Sequence, residues 1–440
     1  GYSNVAIGGS ALLNNDTGDE NIAVGVSSLL NNDDGNKNVS VGVQALESNT
    51  TGDNNIAIGY KALQDNQTID DLIAIGNLAL QNNSTGTNNT AVGYGALADN
   101  TSGAGNTAFG NNALSDNETG NYNVAIGYNS LSSWSTSGDY NTAIGINSLG
   151  QNTTGSNNIA VGARTLYYNS SGTNNTALGY YAIYKTTSGI SNTGIGYKAL
   201  YENQTGNRNI AIGDSALFDA RYGDNVAIGY QAGVEITYAE QNTALGNYAG
   251  PSSFSYNNTT ALGYEAQTTS SNQVRIGNSL VTSIGGYANW TNTSDGRFKK
   301  NIKQNVPGVE FIRKLNPVTF NMDIHKLSDF LGTSYDADSE KGQIVYSGFI
   351  AQEVEQAAND LGYDFSGVDA PDNEKDHYGL RYSEFVVPLV KAVQEQQELI
   401  EKQQEKIEKL EISLKDQQDI KSDLIKMKQK IQELENQINE

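Results

Sequence analysis

The 440-residue sequence contains no cysteine and only two histidines, His325 and His377. Without cysteine the chain can have no disulfide framework, thiol nucleophile or thiolate metal site. Two histidines cannot build a multi-histidine metal centre within one chain. The sequence has no run of about eighteen apolar residues, so we expect no membrane insertion. It begins with Gly1 instead of Met and has no signal peptide, so we expect a segment of a longer protein.

Acidic residues outnumber basic ones by 49 to 27, which gives a net charge of -22. A polyanion would be repelled and no basic stripe is present, so nucleic acid is not expected as a partner. The charge is also uneven: residues 1–290 carry 8 Lys and Arg and 21 Asp and Glu, whereas residues 291–440 carry the remaining 19 and 28. Two different kinds of sequence therefore meet near residue 291.

The motif Asn-x-Ala-Ile/Val-Gly recurs through the first part. Its copies start seventeen residues apart from Asn4 to Asn123 and, after one extra residue, again from Asn141 to Asn209. The spacing then shortens, and the series ends in a worn copy at Gln273. Such regular spacing means that one copy is one structural rung.

A single rung, such as residues 55–68, shows how the coil should fold. Ile56 and Ile58 share one face of a strand, with the intervening alanine opposite. The Ala-Leu pair that ends at Leu63 supplies a second apolar point, and turn-forming residues close the rung. We expect two short strands and two turns per rung of a mainly β, β-solenoid rod, whose stacking buries the Ile and Leu columns. Because each rung holds few apolar residues, we also expect association as a homotrimer.

Through this motif, residues 1–285 resemble the head repeats of trimeric autotransporter adhesins, the YadA-like β-roll. The resemblance implies a left-handed, homotrimeric β-roll, although the usual adhesin repeat is shorter than seventeen residues. We expect the rod at residues 1–272, followed at 273–293 by a worn repeat and a neck.

Tyrosine often follows the rung glycine and forms an intermittent column: Tyr60, Tyr94, Tyr128, Tyr180, Tyr197, Tyr230 and Tyr264. These rings either pack between rungs or subunits or hold sugar rings.

The sequence predicts neither a metal nor a cofactor. Carboxylates alternate in YDADSE at 335–340. That segment lacks the loop glycine and closing ligand of a calcium site, which favours a solvated loop.

Four motifs occur in order after residue 291: SDGRFKKNI at 294–302, LNPVTF at 315–320, GFIAQEVE at 348–355 and LRYSEFVVPLVKAVQEQ at 380–396. Together they resemble the intramolecular chaperone domain at the C-terminus of endosialidases and other phage tail fibres and tail spikes. The resemblance covers about residues 291–400, and we expect the domain itself at 294–392. It implies a domain that helps three chains to fold and then cuts itself off.

A serine hydroxyl is a poor nucleophile until a neighbouring group removes its proton. The first motif has no cysteine and no available histidine, which leaves lysine as the base, and Lys299 lies five residues after Ser294. A lysine acts in this way only where desolvation or cationic neighbours favour the neutral amine, and Arg297 and Lys300 are close in sequence. In the resembling family the matching positions are the nucleophile and its lysine, and the chain is cut before the serine. Carried over, Ser294 attacks the carbonyl of Thr293, and hydrolysis of the ester releases the C-terminal module.

Two further residues of this motif could support the reaction. Asp295 either orients the lysine, strains the turn or caps a helix or turn. Asn301 either contacts the oxyanion or caps the local structure.

The rest of the module is predicted to be α+β. PVTFNM at 317–322 favours a strand, and residues 348–361 favour a helix with Ile350, Val354 and Ala357 on its packed face. One helix should run from about Ser383 to the end of the chain, with its proline in the first turn.

Apolar residues of that helix follow a heptad, and after Gln417 the phase slips by three. The heptad positions are Val393, Ile400, Ile407, Leu410 and Leu414, then Ile420, Leu424, Met427, Ile431, Leu434 and Ile438. This pattern, with Gln at several core positions, predicts a stammered trimeric coiled coil at 393–440.

These observations predict a trimeric fibre or adhesin, in a virion tail fibre or at a cell surface, that binds a surface receptor or a glycan. Its C-terminal chaperone drives trimerisation and folding and then, as a single-turnover serine autopeptidase, cleaves between Thr293 and Ser294. One alternative is a polysaccharide-degrading tail-spike fragment, although glycosidases need paired carboxylates in a groove and the rod's acids lie mainly in turns. The other is an uncleaved structural fibre with a permanent trimerisation domain.

Overall fold

The computed structural model describes three ranges of the chain, 1–133, 136–333 and 340–438. Among these residues, 1–284 and 324–333 form one compact unit, and 285–323 and 340–438 form a second. The first unit is a β-solenoid, and the second is a small helix–strand module that ends in a long helix. Apart from Glu340, the acidic motif at 335–340 lies outside the described residues.

The solenoid is built on one parallel sheet, to which seventeen three-residue strands among the described residues contribute. Each strand pairs with the next in register, so that Ile56 lies beside Ile73. The strands of this unit are β1 (Val5–Ile7), β2 (Ile22–Val24), β3 (Val39–Val41), β4 (Ile56–Ile58), β5 (Ile73–Ile75), β6 (Thr90–Val92), β7 (Thr107–Phe109), β8 (Val124–Ile126), β9 (Thr142–Ile144), β10 (Ile159–Val161), β11 (Thr176–Leu178), β12 (Thr193–Ile195), β13 (Ile210–Ile212), β14 (Val226–Ile228), β15 (Thr243–Leu245), β16 (Gly250–Pro251), β17 (Thr260–Leu262), β18 (Gln267–Thr268) and β19 (Val274–Ile276). The solenoid predicted from the repeat is therefore confirmed.

Two columns of buried asparagines join the rungs. In the first column, the Asn38 backbone N–H donates to Asn21 Oδ1 at 2.9 Å, and Asn38 Nδ2 donates to the Gly52 carbonyl at 2.7 Å. In the second column, Asn49 Nδ2 donates to Asn32 Oδ1 at 2.8 Å. These side chains satisfy backbone groups that would otherwise be buried without a partner, and they fix the register of neighbouring rungs.

The interior is lined by leucine and alanine. Leu46 and Leu63 are fully buried, which confirms the predicted leucine column, and so is Ala57. The predicted burial of the isoleucine column is wrong: Ile58 is 38% exposed, and Ile56 is half-buried. Alternation along a strand places Ile and Ala on opposite faces but does not say which face is inside. The leucines fill the coil and leave space for the small alanine, so the larger side chains point outward.

The second predicted strand of the rung is also wrong for most of the solenoid. Lys61 and Leu63 have left-handed φ values of 56° and 52°, so this segment forms successive turns instead of an extended strand. Its backbone still bonds to neighbouring rungs, for example from Leu63 N to the Ala79 carbonyl at 3.0 Å. A left-handed residue costs about 1–2 kcal/mol, which burial of a leucine side chain offsets. Among the described residues, a second strand column appears only late in the unit, where β16 pairs with β18.

The glycine after each strand has a structural reason. Gly59 has φ of 139°, and a Cβ added there would lie 2.4 Å from the Gly76 carbonyl oxygen. Adjacent rungs approach too closely at this corner for any side chain.

The second unit combines short elements around one aromatic cluster. Its elements, together with α2 of the first unit, are α1 (Val309–Lys314), β20 (Val318–Phe320), α2 (Ile324–Leu331), β21 (Tyr346–Gly348), α3 (Ala351–Asn359), β22 (Val368–Asp369), β23 (Gly379–Leu380) and α4 (Val386–Ile438), with 3-10 turns at Gly296–Phe298, Glu340–Gln343 and Tyr382–Phe385. β20 pairs antiparallel with β21, and α3 buries Val354 and Ala357 beside Phe311. The predicted strand and helix are thus present, but Ile350 is 40% exposed at the helix N-cap instead of lying on the packed face.

Helix α4 begins with Pro388 buried in its first turn and runs to Ile438. Near its start, the Glu395 carboxylate accepts a hydrogen bond of 2.8 Å from Val309 N and so caps α1. The heptad residues from Val393 onward are exposed in the single chain. Among the described residues, no helix combines the length and apolar character needed to cross a membrane.

Removing one rung asparagine should destabilise the solenoid. Asn106 accepts from Asn123 N at 2.9 Å and donates to the Gly120 carbonyl at 2.8 Å. Asn106→Ala leaves both groups buried without a partner, and each such group costs about 1–3 kcal/mol, so we expect a loss of roughly 2–6 kcal/mol in guanidinium unfolding. The exposed Asn111 is the control, and equal losses for Asn106→Ala and Asn111→Ala would contradict the role of the column.

Candidate serine–lysine site

A short 3-10 turn brings the two ends of the first C-terminal motif together. Asp295 is its N-cap and accepts a hydrogen bond of 2.9 Å from Arg297 N. Phe298 N donates to the Asp295 carbonyl at 3.1 Å, and Lys299 N donates to the Gly296 carbonyl at 3.2 Å. The chain therefore reverses within the five residues that separate serine from lysine.

Within this turn, Lys299 Nζ lies 2.8 Å from Ser294 Oγ. A charged amine at this distance donates to the hydroxyl, whereas a neutral amine accepts the hydroxyl proton and raises the nucleophilicity of the oxygen. Both side chains are exposed in the single chain, as is Thr293. The geometry brings the predicted nucleophile and base into contact, while their catalytic roles stay predictions.

The Asp295 carboxylate is occupied by Arg297. Its Oδ2 accepts hydrogen bonds of 2.9 Å and 2.6 Å from Arg297 Nε and Nη2. The Arg297 side chain, and then its backbone N–H, hold the pKa of Asp295 below its usual range. Of the roles considered for Asp295, the structure shows the turn cap; orientation of Lys299 stays a prediction.

Asn301 follows the turn with a left-handed φ of 53°. Asparagine is one of the few residues that adopt this conformation readily, which fits a structural role. An oxyanion contact from Asn301 stays a prediction. Over the described ranges, no group of three His, Cys, Asp or Glu residues is placed to hold a metal ion.

Sequence reasoning missed two features. It noted Arg297 only as a nearby cation, whereas Arg297 holds the cap of the turn. It also considered the tyrosines that follow the rung glycine, and these side chains are exposed: Tyr60, for example, is 45% exposed. It overlooked a second aromatic column, at the tenth rung position. Comparing every rung position in turn, instead of one, would have found that column.

Comparison with known proteins agrees with the position of this site. Residues 294–363 match the protein-family model described as chaperone of endosialidase, and the match begins at Ser294. A search of curated proteins gave no match. The chain thus contains a chaperone-of-endosialidase domain after a β-solenoid, and the domain match supports a role in oligomerisation and folding.

The ion pair in the turn predicts a pH dependence. Since the folded pKa of Asp295 is lowered, the pair stabilises the turn above the unfolded value of about 3.9 and is lost as pH falls through the folded value. In an NMR titration, we expect Asp295 to titrate below the usual range and to move upward in Arg297→Gln. Arg313→Gln removes the same charge elsewhere and should leave Asp295 unchanged. An ordinary titration of Asp295 in the wild type would refute the pair.

Proposed function

We propose that this chain is a homotrimeric fibre whose C-terminal module aligns three chains, promotes winding of their solenoids and then detaches by cleaving the Thr293–Ser294 bond. The observation that carries the proposal is that both units expose regular lines of apolar side chains in the single chain. Contiguous apolar surface of this kind marks sites of association.

The first apolar line runs along the solenoid. We call the fourth rung position the outward column; it includes Ile58, Ile75, Ile126 and Ile144. These four side chains are 36–38% exposed, and the in-register sheet repeats the position at every strand. A second and third copy would cover the outward column along its whole length.

The second apolar line runs along α4. Ile407, Leu410 and Leu414 are 48–60% exposed and occupy the predicted heptad positions. A parallel trimeric coiled coil would bury them, and glutamines at intervening core positions would favour one register at some cost in stability.

Register explains why such a fibre would need a chaperone. Parallel pairing between distant segments is slow, because loops must close before contacts form. A slip of one residue would also turn a strand's inner side chains outward. If the module holds three chains in register at one end, their solenoids can begin to fold without a register error. This supports a folding role for the module.

The proposed cleavage follows from the contact between Ser294 and Lys299. The neutral amine takes the hydroxyl proton, and Ser294 Oγ attacks the Thr293 carbonyl carbon. The peptide C–N bond breaks as the Ser294 nitrogen takes a proton, which leaves Thr293 esterified to Oγ. Water then hydrolyses the ester, so that Thr293 ends in a carboxylate and Ser294 becomes a free N-terminus.

Exposure of the dyad supports cleavage after assembly. Water favours the charged amine, and only burial or nearby cations favour the neutral form that acts as a base. In one chain both Ser294 and Lys299 are exposed. Packing of further chains would exclude water, so the reaction would wait for the trimer.

We further propose that the fibre is displayed on a virion or a cell surface and binds a receptor or glycan there.

Degradation of an external polysaccharide is less well supported. Glycosidases need two carboxyl groups at a defined separation across a groove, whereas the solenoid's acidic residues lie mainly in turns.

The dyad predicts the fate of three variants. On denaturing gels and by mass analysis, we expect cleavage between Thr293 and Ser294 in the wild type and none in Ser294→Ala or Lys299→Ala. Lys303→Ala, which removes a cation just after the motif, should retain cleavage. If cleavage before residue 294 persists in Ser294→Ala, Ser294 is not the nucleophile. That result would leave the proposed trimer unaffected.

The heptad predicts which helix residues hold the trimer. By light scattering, uncleaved Ser294→Ala protein should have three times the chain mass of 47.1 kDa. Ile407→Asp with Leu410→Asp should lower that mass, because buried charge opposes helix association. Ile412→Asp, which lies off the stripe, is the matched control. A monomeric parent protein would contradict the trimer.

A further inference from the structure

Four consecutive rungs carry an aromatic residue at the tenth position, counted from the rung asparagine. Tyr167, Tyr184, Tyr201 and Phe218 stack with ring centroids 5.7, 5.1 and 5.1 Å apart. Other rungs place residues as different as Leu, Glu, Gln, Ala, Ser and Gly at this position, so the coil does not require a ring there. The column is a local addition to the repeat.

More tyrosines surround this column. Tyr168 packs edge-on against Tyr167 and Tyr184 at 4.9 and 5.0 Å, and Tyr181 packs edge-on against Tyr184 at 4.7 Å. Burial, more than any other cause, raises the pKa of Tyr184 to about 12. We define the aromatic patch as Tyr167, Tyr168, Tyr180, Tyr181, Tyr184, Tyr197, Tyr201 and Phe218.

Three cations lie on the aromatic patch. Arg164 Nη1 donates to the Tyr181 hydroxyl at 2.6 Å. Lys198 Nζ lies 5.1 Å from the Tyr197 ring and 5.6 Å from the Tyr201 ring. Lys185 lies 5.6 Å from the Tyr201 ring and pairs with Glu202 at the patch edge. The cations are thus held by rings and hydroxyls that leave them partly accessible.

The patch interrupts the acidic character of the solenoid. No acidic residue occurs between Asp139 and Glu202, although the chain carries a net charge of -22. All three cations and seven of the patch tyrosines fall within this interval. A negatively charged ligand would therefore meet less repulsion here than on the acidic parts of the solenoid.

We propose that the aromatic patch binds an acidic polysaccharide, extended along the solenoid so that successive sugars meet successive rungs. The cations would receive its carboxylates, and the tyrosine rings and hydroxyls would contact its sugars. The inference rests on the proposed function as a surface-binding fibre and names the site and the ligand class.

Charge density favours this ligand over nucleic acid. A phosphate backbone carries one charge per nucleotide and needs many cations to release its counterions. Three cations in a chain of net charge -22 are too few for a polymer that is held mainly through its phosphates, whereas a polysaccharide can be held mainly through contacts between its sugars and the rings. Tyrosine supplies rigid, amphipathic contact area at low entropic cost, which suits sugars with an apolar face and a polar rim.

The patch occupies different rung positions from the surface assigned to trimer contacts. Its residues follow the rung glycine, whereas the outward column lies on the strands before it. A ligand on the patch would therefore contact different side chains from those of the outward column.

The test uses the full-length trimeric Ser294→Ala chain and three acidic polymers: polygalacturonate, hyaluronan and alginate. Affinity electrophoresis should show retardation by at least one of them that weakens as salt rises. Fully methyl-esterified polygalacturonate, which keeps the sugars but removes the charge, should bind at least tenfold more weakly than the free acid if that polymer is the ligand. Poly-dT is included as a competing polyanion.

Variants locate the site. Lys198→Glu should weaken binding about tenfold, a loss of about 1.4 kcal/mol. Tyr184→Leu should also weaken it, while preserving the rung, because Leu30 occupies the same position nine repeats earlier. The matched control is Lys61→Glu, since Lys61 lies 5.5 Å from the Tyr60 ring at the same rung position outside the patch. It should change binding less than twofold.

Several outcomes would overturn the inference. The first is that a chain that is trimeric by light scattering binds none of the three polymers. The second is that Lys198→Glu and Lys61→Glu lose the same amount of binding affinity. The third is that the chain binds poly-dT in preference to the polysaccharides. Because trimer mass and cleavage are measured separately, failure of the glycan site can be told apart from failure of the fibre itself.

Discussion

The solenoid depends on hydrogen bonds that pass from the buried asparagine of one rung to the backbone of the next. Asn21 accepts from the Asn38 N–H, and Asn38 in turn reaches the Gly52 carbonyl. These bonds form only when neighbouring rungs are in register, because the donor and acceptor are one repeat apart. A narrow coil lined mainly by alanine and leucine has little other means of setting that register.

The same constraint links the solenoid to the module that follows it. Because the rungs pair in parallel and repeat along the whole unit, a strand can begin to pair in many wrong registers and only one correct register. A separate domain that fixes the first register would prevent such errors. The cleavage proposed above fits a Ser294–Lys299 contact that is formed by a local turn yet remains exposed in one chain, since cleavage before assembly would remove the domain too early.

Much of this arrangement follows from the sequence, and the exceptions have physical causes. Spacing alone predicted the coil and the buried Leu63 column. Alternation could not decide between Ile58 and Ala57, because the choice depends on how much volume the leucines leave inside. The turns of the second side escaped prediction because leucine at positive φ contradicts its own preference and is tolerated only when stacked rungs bury it. At the site, the spacing of Ser294 and Lys299 allowed a contact, but the turn that produces it depends on the Asp295–Arg297 pair.

Because the rungs are nearly equal, the length of the solenoid can change without a change in the structure of each rung. Loss or duplication of one complete repeat would rejoin the same corner, the same buried asparagines and the same outward column, and would shift one end by about 4.8 Å. Unequal recombination between repeats could therefore lengthen or shorten the solenoid in fixed increments. Changes on the N-terminal side of Tyr167 would leave the number of rungs between the aromatic patch and the C-terminal end of the solenoid unchanged, so solenoid length and patch position can evolve separately.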